Sequence, residues 1–201
     1  MWNISGVKNV FETWEFLSKN DIIMTIETWL EGKNEDEVLR KLRKDYLWGT
    51  KAAVRVRGKG RAMGVGGGLL VGIKKYRSKE ITIVEWEYGL IIKGVKQISN
   101  DKVNIVAVYN NAKIGECLSR ISALLDTEDM RGTDTILVGD FNARIGTAKE
   151  NDEATDRSSD EKECNPEGKK LLNFCNLNAY EIRNGRVQGD WNGNTGERAQ
   201  Y

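Results

Sequence analysis

Short apolar runs that stop abruptly at polar residues set the rhythm of this chain. Ile22-Ile23-Met24-Thr25-Ile26 is a continuous β-branched and apolar run, the pattern of a strand covered on both faces, and it leaves Glu27 at a strand end. Gly68–Ile73 and Val103–Tyr109 have the same character, and Asp134–Val138 runs straight into Gly139-Asp140. Trp2-Asn3 reads as a first strand. Elsewhere the period changes: Val10, Phe11, Trp14 and Leu17 recur at near-helical spacing across Lys8–Lys19, as do Leu118, Ile121, Leu124 and Leu125 across Ile114–Asp126. Asn165-Pro166-Glu167 offers a helix start with proline in the first turn, leading into Leu171, Leu172, Phe174 and Cys175, while Glu35–Lys44 is a fainter helical pattern. Many strands mixed with few helices predict an α/β layered sandwich and not a regular βαβ winding.

The glycines of Met63-Gly64-Val65-Gly66-Gly67-Gly68 precede a strand, and no GK[ST] follows, so they read as a strand entry or bulge and not as a phosphate-cradling loop. Lys149–Glu163 is nearly all polar and reads as a solvated loop. The chain has 201 residues with 30% charged and a single proline, which suits one folded domain and argues against a low-complexity chain. No apolar run approaches the roughly 20 residues of a membrane-spanning helix, and Met1–Gly6 has no signal-peptide pattern. Three cysteines without a CxxC pair read as reduced thiols in an intracellular compartment. The net charge of +1 neither favours nor excludes nucleic acid. The absence of histidine from the sequence excludes Ser-His-Asp and Cys-His catalysis, histidine-ligated zinc and a histidine base from this chain. Any chemistry must run on carboxylates, amides, tyrosine and a hard metal.

Asp140 and Asn142, spaced by two at the end of a strand, can emerge on the same side of an extended backbone, the acid to accept a proton from water and the amide to donate to an oxyanion. Both residue types also favour turns, and that reading stays open. Glu27 is suited either to a hard divalent cation or to a plain surface position. Asn3 and Tyr109 are ordinary taken singly, and a tyrosine at a strand end usually plugs a core. What raises all five is that four strands each end in a residue suited to phosphate or metal chemistry. Lys51, Arg55, Arg57, Lys59 and Arg61 fall together without an acid, and Lys74, Lys75, Arg77 and Lys79 follow the glycine-rich strand. Such clusters track a nucleic-acid backbone or form a solvated face. Trp48 nearby suits base stacking or, more often, a core.

Met1-Trp2-Asn3-Ile4-Ser5-Gly6, Thr25-Ile26-Glu27-Thr28-Trp29-Leu30, Val106–Asn111 and Val138-Gly139-Asp140-Phe141-Asn142-Ala143-Arg144-Ile145-Gly146 resemble, in order, the motifs of the endonuclease/exonuclease/phosphatase superfamily. Within it, Glu27–Leu30, Gly139–Gly146, Asn165–Cys175 and Asn184–Trp191 are most similar to the endonuclease domain of non-LTR (LINE-type) retrotransposons and the derived craniofacial development protein 2-like proteins. The resemblance implies a four-layer α/β sandwich of the DNase I-like type with the active site at one edge of two packed sheets. It implies Glu27 as the main ligand of magnesium, or manganese, helped by Asn3. Asp140 would orient or deprotonate the attacking water, Asn142 would contact the scissile phosphate, and Tyr109 would hydrogen-bond near it. Asn111 would face the phosphate too, although the usual proline-containing turn after the tyrosine is absent, and Ser5 stands where several relatives carry aspartate. Arg144 would join Arg55, Arg57, Lys59 and Arg61 on the nucleic acid.

The implied reaction is metal-assisted hydrolysis of a phosphodiester in DNA, in a nuclear setting, with a reverse transcriptase domain in the full-length parent. The family pattern is expected to continue past Tyr201 with an aspartate, a strand and an Asp-His pair. Residues 1–201 are therefore expected to form a single domain of this superfamily that lacks its C-terminal segment, with turnover severely impaired. The alternatives are a phosphatase branch acting on small phosphate esters and a non-catalytic nucleic-acid-binding or interaction remnant of the same fold.

Overall fold

The structure is a computed structural model, and it describes residues 1–56, 64–77, 79–96, 101–110 and 113–186. The chain forms two compact units, one made of Met1–Asn111 with Asp126–Asp140, the other of Ala112–Leu125 with Phe141–Tyr201.

The first unit carries β1 (Trp2–Asn3), α1 (Lys8–Glu12), α2 (Trp14–Leu17), β2 (Ile22–Ile26), α3 (Gly32–Lys41), β3 (Tyr46–Lys51), β4 (Val54–Val56), β5 (Gly64–Gly66), β6 (Leu69–Lys74), β7 (Thr82–Trp86), β8 (Gly89–Lys96), β9 (Lys102–Tyr109) and β10 (Asp134–Asp140). Its strands form two four-stranded sheets, ordered β1-β2-β6-β3 and β10-β9-β8-β7, and a separate β4-β5 pair. Side-chain alternation along β6 explains how they pack. Leu69, Val71 and Ile73 meet Leu90, Ile92, Val103, Ile105 and Ala107 of the second sheet in one buried cluster. Leu70, pointing the other way, joins Ile23 against Val10 and Leu17 of the helices and Leu42 after α3. A strand buried on both faces must be apolar throughout, which is why this one reads as an unbroken run. Trp48 belongs to this packing: it stacks on Tyr46 with ring centroids 5.3 Å apart, and its indole donates to the Arg43 carbonyl at 2.8 Å. Gly72 lies opposite it in register, where a Cβ would come within 2.3 Å of the indole ring.

The second unit holds α4 (Ile114–Leu125) and α5 (Pro166–Leu177), which contact each other. The predicted start of α5 is present, with Asn165 as its cap accepting from the Gly168 amide at 2.7 Å and Pro166 in the first turn. Two sequence readings are corrected. The helix predicted over Lys8–Lys19 breaks at Thr13, whose φ of −102° and ψ of 15° leave the helical region while its hydroxyl donates back to the Asn9 carbonyl at 2.6 Å. The polar stretch Lys149–Glu163 has no regular structure, yet it is not simply solvated: Glu150 and Arg157 within it are buried. Composition conceals this, because a charged group whose hydrogen bonds are satisfied can go inside. No helix among the described residues is long and apolar enough to cross a membrane.

Candidate metal and phosphate site

β1 runs parallel to β2 with Asn3 opposite Ile26, and the next residue on β2's side, Glu27, has already left the strand with φ +55°. The turn it begins is pinned from both flanks. Gly6 and Val7 donate their amides to the Glu27 and Thr28 carbonyls at 2.8 and 2.7 Å, and the Trp29 amide donates to the Gly67 carbonyl at 3.0 Å. Thr28 between them is fully buried. Glu27 and Trp29 both occupy the left-handed region, at +55° and +53°, at a cost of order 1 kcal/mol each for a side chain that is not glycine. Surrounding hydrogen bonds of this kind are what sustains such a conformation.

Three donors converge on the Glu27 carboxylate. Its Oε1 accepts from the Tyr109 hydroxyl in a short hydrogen bond, and its Oε2 accepts from the Trp29 indole at 2.8 Å and the Gly67 amide at 3.0 Å. Burial by itself would raise the carboxyl's pKa, but the Tyr109, Gly67 and Trp29 donors together outweigh it and hold Glu27 below the usual carboxylate range. All three donors are neutral, and no cation among the described residues contributes. The group is thus ionised without being neutralised. Tyr109 is pushed the opposite way, first by burial, then by its bond to Glu27 and by the charges of Glu27 and Asp140, so its hydroxyl stays a donor. Gly67 is required by this geometry: its φ is +79°, and a Cβ there would sit 2.8 Å from the Tyr109 ring.

Tyr109 ends β9, and β10 lies parallel to it with Asp140 directly opposite. The Asn110 amide continues the ladder to the Asp140 carbonyl at 2.8 Å. Glu27, Tyr109 and Asp140, from three strand ends of the first unit, are thereby brought together in one chain of neighbours. Asn3 lies on the strand beside β2, exposed, with its Oδ1 accepting from the Ser5 amide at 3.1 Å and the Ser5 hydroxyl at 3.2 Å.

Asn142 comes two residues after Asp140, in the second unit, with φ +50°. Arg144, also in the second unit, is exposed and pairs with Glu163 at 3.2 Å and Glu161 at 3.9 Å. The backbone of Arg55 lies in β4, while Arg57, Lys59, Arg61 and Asn111 fall outside the described residues. In the other basic cluster, Lys74 and Arg77 are engaged by Asp21 at 3.5 and 2.9 Å.

Among the described residues there is no group of three or more Asp, Glu, Cys or His side chains that could cage a metal. Magnesium needs no such cage, since it keeps several waters and takes one or two carboxylates plus substrate phosphate. The ionised carboxylate of Glu27, with Asn3 on the strand beside β2, fits that mode and fits no zinc-like site. Two participants escaped the sequence reading: the Trp29 indole and the Gly67 amide. Both sit in segments singled out there, but the Gly67 contact depends on pairing across 40 residues of chain and the Trp29 contact on a left-handed turn two residues on.

No family model matches the chain, and no curated protein sequence does. Among solved structures it resembles the catalytic domain of Xenopus laevis APE2, with a TM-score of 0.51 and 19% identity over 86% of this chain and 66% of that one. It also matches ANGEL2, a 2′,3′-cyclic phosphatase in complex with adenosine-2′,3′-vanadate, at TM-score 0.41 and 14% identity over 73% of this chain and 53% of that one. The chain therefore spans just under two thirds of the length of the first structure and about half of the second. At such identities the likeness is one of fold, and the fold is the DNase I-like α/β type that the sequence led us to expect.

Proposed function

We propose that this chain is a metal-dependent phosphodiesterase domain acting on DNA, of the non-LTR retrotransposon endonuclease type. The observation that carries the reading is the Tyr109 hydroxyl resting on the Glu27 carboxylate, with Asp140 in register beside Tyr109. In this reading Glu27 holds magnesium or manganese, helped by Asn3 through water, or directly once the Ser5 hydroxyl turns away from the Asn3 amide oxygen it now donates to. The bound ion supplies Lewis-acid polarisation of the phosphate and offsets charge on the leaving oxygen. Asp140 accepts the proton of the attacking water. Tyr109, kept protonated, donates its one proton to Glu27 near the scissile phosphate, and Asn142 donates to that phosphate. Arg55, Arg57, Lys59, Arg61 and Arg144 supply the salt-dependent, sequence-tolerant attraction to the DNA backbone.

A second reading, nucleic-acid binding without turnover, is favoured by one specific fact: the sequence contains no histidine to bind and stabilise the phosphoryl transition state. Nicking of supercoiled plasmid in magnesium, by this chain and by Asp140→Ala, separates the two. Nicking above the Asp140→Ala background is expected if the first holds. Equal background nicking, with DNA binding that weakens steeply in salt, leaves the second. Release of phosphate from inositol phosphates without nicking would overturn both in favour of a phosphatase.

A further inference from the structure

Trp29 is 46% exposed and belongs to neither buried cluster of the first unit, yet it holds a backbone conformation, φ +53°, that large side chains seldom adopt. Packing does not explain it. Its six-membered ring lies against Gly6, where a Cβ would come within 3.1 Å of Cε3, so that the indole N–H is aimed at Glu27 Oε2, 2.8 Å away. Gly6 in turn donates to the Glu27 carbonyl at 2.8 Å. One turn therefore fixes the glutamate at its backbone and at its carboxylate.

We infer that Trp29 is a positioning residue which, with the Gly67 amide, occupies Glu27 Oε2 and so restricts the glutamate to a single metal bond through Oε1. The inference rests on the metal reading above. A carboxylate oxygen offers about two lone-pair directions. On Oε2 both are taken, by Trp29 and Gly67. On Oε1 the described residues take one, through Tyr109, and leave one. Chelation by both oxygens is closed off. This has a consequence for ion choice: calcium takes six to eight oxygens and readily uses bidentate carboxylates, whereas magnesium keeps an octahedral shell made largely of water and phosphate. A one-oxygen glutamate suits magnesium and manganese and handicaps calcium, and Trp29 is the side chain that enforces it.

The test is manganese binding by the full chain, followed by electron paramagnetic resonance, with magnesium and calcium as competitors. In the native chain magnesium is expected to displace manganese at least about tenfold more effectively than calcium. Trp29→Phe keeps an aromatic ring against Gly6 and deletes the N–H. It is expected to weaken manganese binding by about tenfold, the usual size of an outer-shell effect, and to narrow the preference over calcium. A loss of packing alone would not move that preference. An unchanged preference and affinity in Trp29→Phe, with manganese binding lost in Glu27→Gln, overturns the role of Trp29 and leaves the metal reading standing. Manganese binding that survives Glu27→Gln, or is absent from the native chain, overturns the metal reading itself. Should Trp29→Phe fail to fold, the assigned indole ¹⁵N–¹H signal of Trp29 in the native chain decides. A shift on adding magnesium that disappears in Glu27→Gln supports the inference, and an unmoved signal overturns it.

Discussion

Two glutamates of this protein, one in each unit, are held ionised against burial by opposite means. Glu150 is almost fully enclosed and meets Arg186 in a two-pronged pair, both contacts at 2.8 Å, with the Arg186 side chain only 4% exposed. Arg186 also donates to the Ile182 and Thr155 carbonyls at 2.8 and 2.6 Å, and the Ile182 amide returns a short hydrogen bond to Glu150. Among the described residues Glu27 meets no guanidinium or ammonium, but a phenol, an indole and a backbone amide. For both groups burial acts to raise the pKa and hydrogen bonds overcome it. The difference lies in what is left over. Beside Arg186 the charge is cancelled and the carboxylate is finished as structure. Beside neutral donors the full negative charge persists, and a cation from outside can still be attracted to it. A carboxylate stabilised by neutral donors is thus a better mark of a metal or substrate site than one stabilised by a salt bridge.

The largest effect should come from breaking the closed pair. Glu150→Ala strands the Arg186 charge in the interior and is expected to cost about 3–5 kcal/mol in urea unfolding. Glu27→Gln, in contrast, should change stability by less than about 1 kcal/mol. Its amide oxygen can accept from Trp29 and Gly67 while its NH₂ donates to the Tyr109 oxygen, whose own proton turns to water at this partly open site. Equal costs for the two substitutions would erase the distinction between a structural and an open carboxylate.

Much of the open site was legible in the sequence, and the closed pair was not. Glu27 and Tyr109 close runs whose strands are largely buried on both faces and so announce their own ends, while Asp140 follows a shorter apolar run in a strand that is only partly buried. Glu150 and Arg157 were hidden inside a polar stretch, because composition cannot distinguish a solvated charge from a buried one whose partner lies far along the chain. Arg157 is held by the Gly146, Ala148 and Asn184 carbonyls, contacts that no local pattern announces. The strand β8 was blurred for a different reason. It carries a register shift between Ile92 and Val95, with Gly94 at φ +79° where a Cβ would come 2.6 Å from the Glu80 carbonyl, and such a bulge interrupts the alternation a strand is read from. The helix through Thr13 was overcalled since apolar spacing alone does not register a hydroxyl bonding back to the main chain.

Next in size is Gly67→Ala, which attacks the open site at its tightest point. Alanine must hold φ +79° and place a Cβ 2.8 Å from the Tyr109 ring, for an expected loss of about 2 kcal/mol. Thermal melting checks the loss. A crystal or NMR structure should show Tyr109 moved away from Glu27, and a substitution tolerated without either change would mean the ring is not held as described.

Tyr109→Phe removes the donor on Oε1 with little steric change and should cost about 1 kcal/mol, less than a fully buried charged hydrogen bond because the site is partly open to water. The pH dependence identifies the bond. Glu27 has its folded pKa depressed, so its contribution is present above the unfolded carboxylate value of about 4.3 and is lost as pH falls through the lower folded value. Tyr109 has its folded pKa raised, so its contribution is complete below about pH 10 and is lost as pH rises towards the folded value. The stability gap between the native chain and Tyr109→Phe should therefore be widest between about pH 5 and 9 and narrow on both sides. A gap that does not narrow on either side of that range would assign the cost to packing and not to the hydrogen bond.

The smallest effect belongs to a second glutamate–arginine pair, which sharpens the comparison because it contains the same groups as Glu150 and Arg186 in water. Arg144 meets Glu163 at 3.2 Å with both side chains more than 60% exposed. Solvent screening and side-chain entropy leave such a pair nearly worthless to the fold, so Arg144→Ala should alter stability by less than about 0.5 kcal/mol. Its expected effect lies elsewhere. If Arg144 meets a phosphate in the DNA-bound state, its removal lowers the slope of log binding constant against log salt by about one contact's worth, while affinity falls evenly across sequences. Fluorescence anisotropy with a labelled duplex at several salt concentrations measures both quantities. An unchanged slope would remove Arg144 from the DNA-facing set. A large loss of stability would show that exposure is not what separates this pair from Glu150 and Arg186.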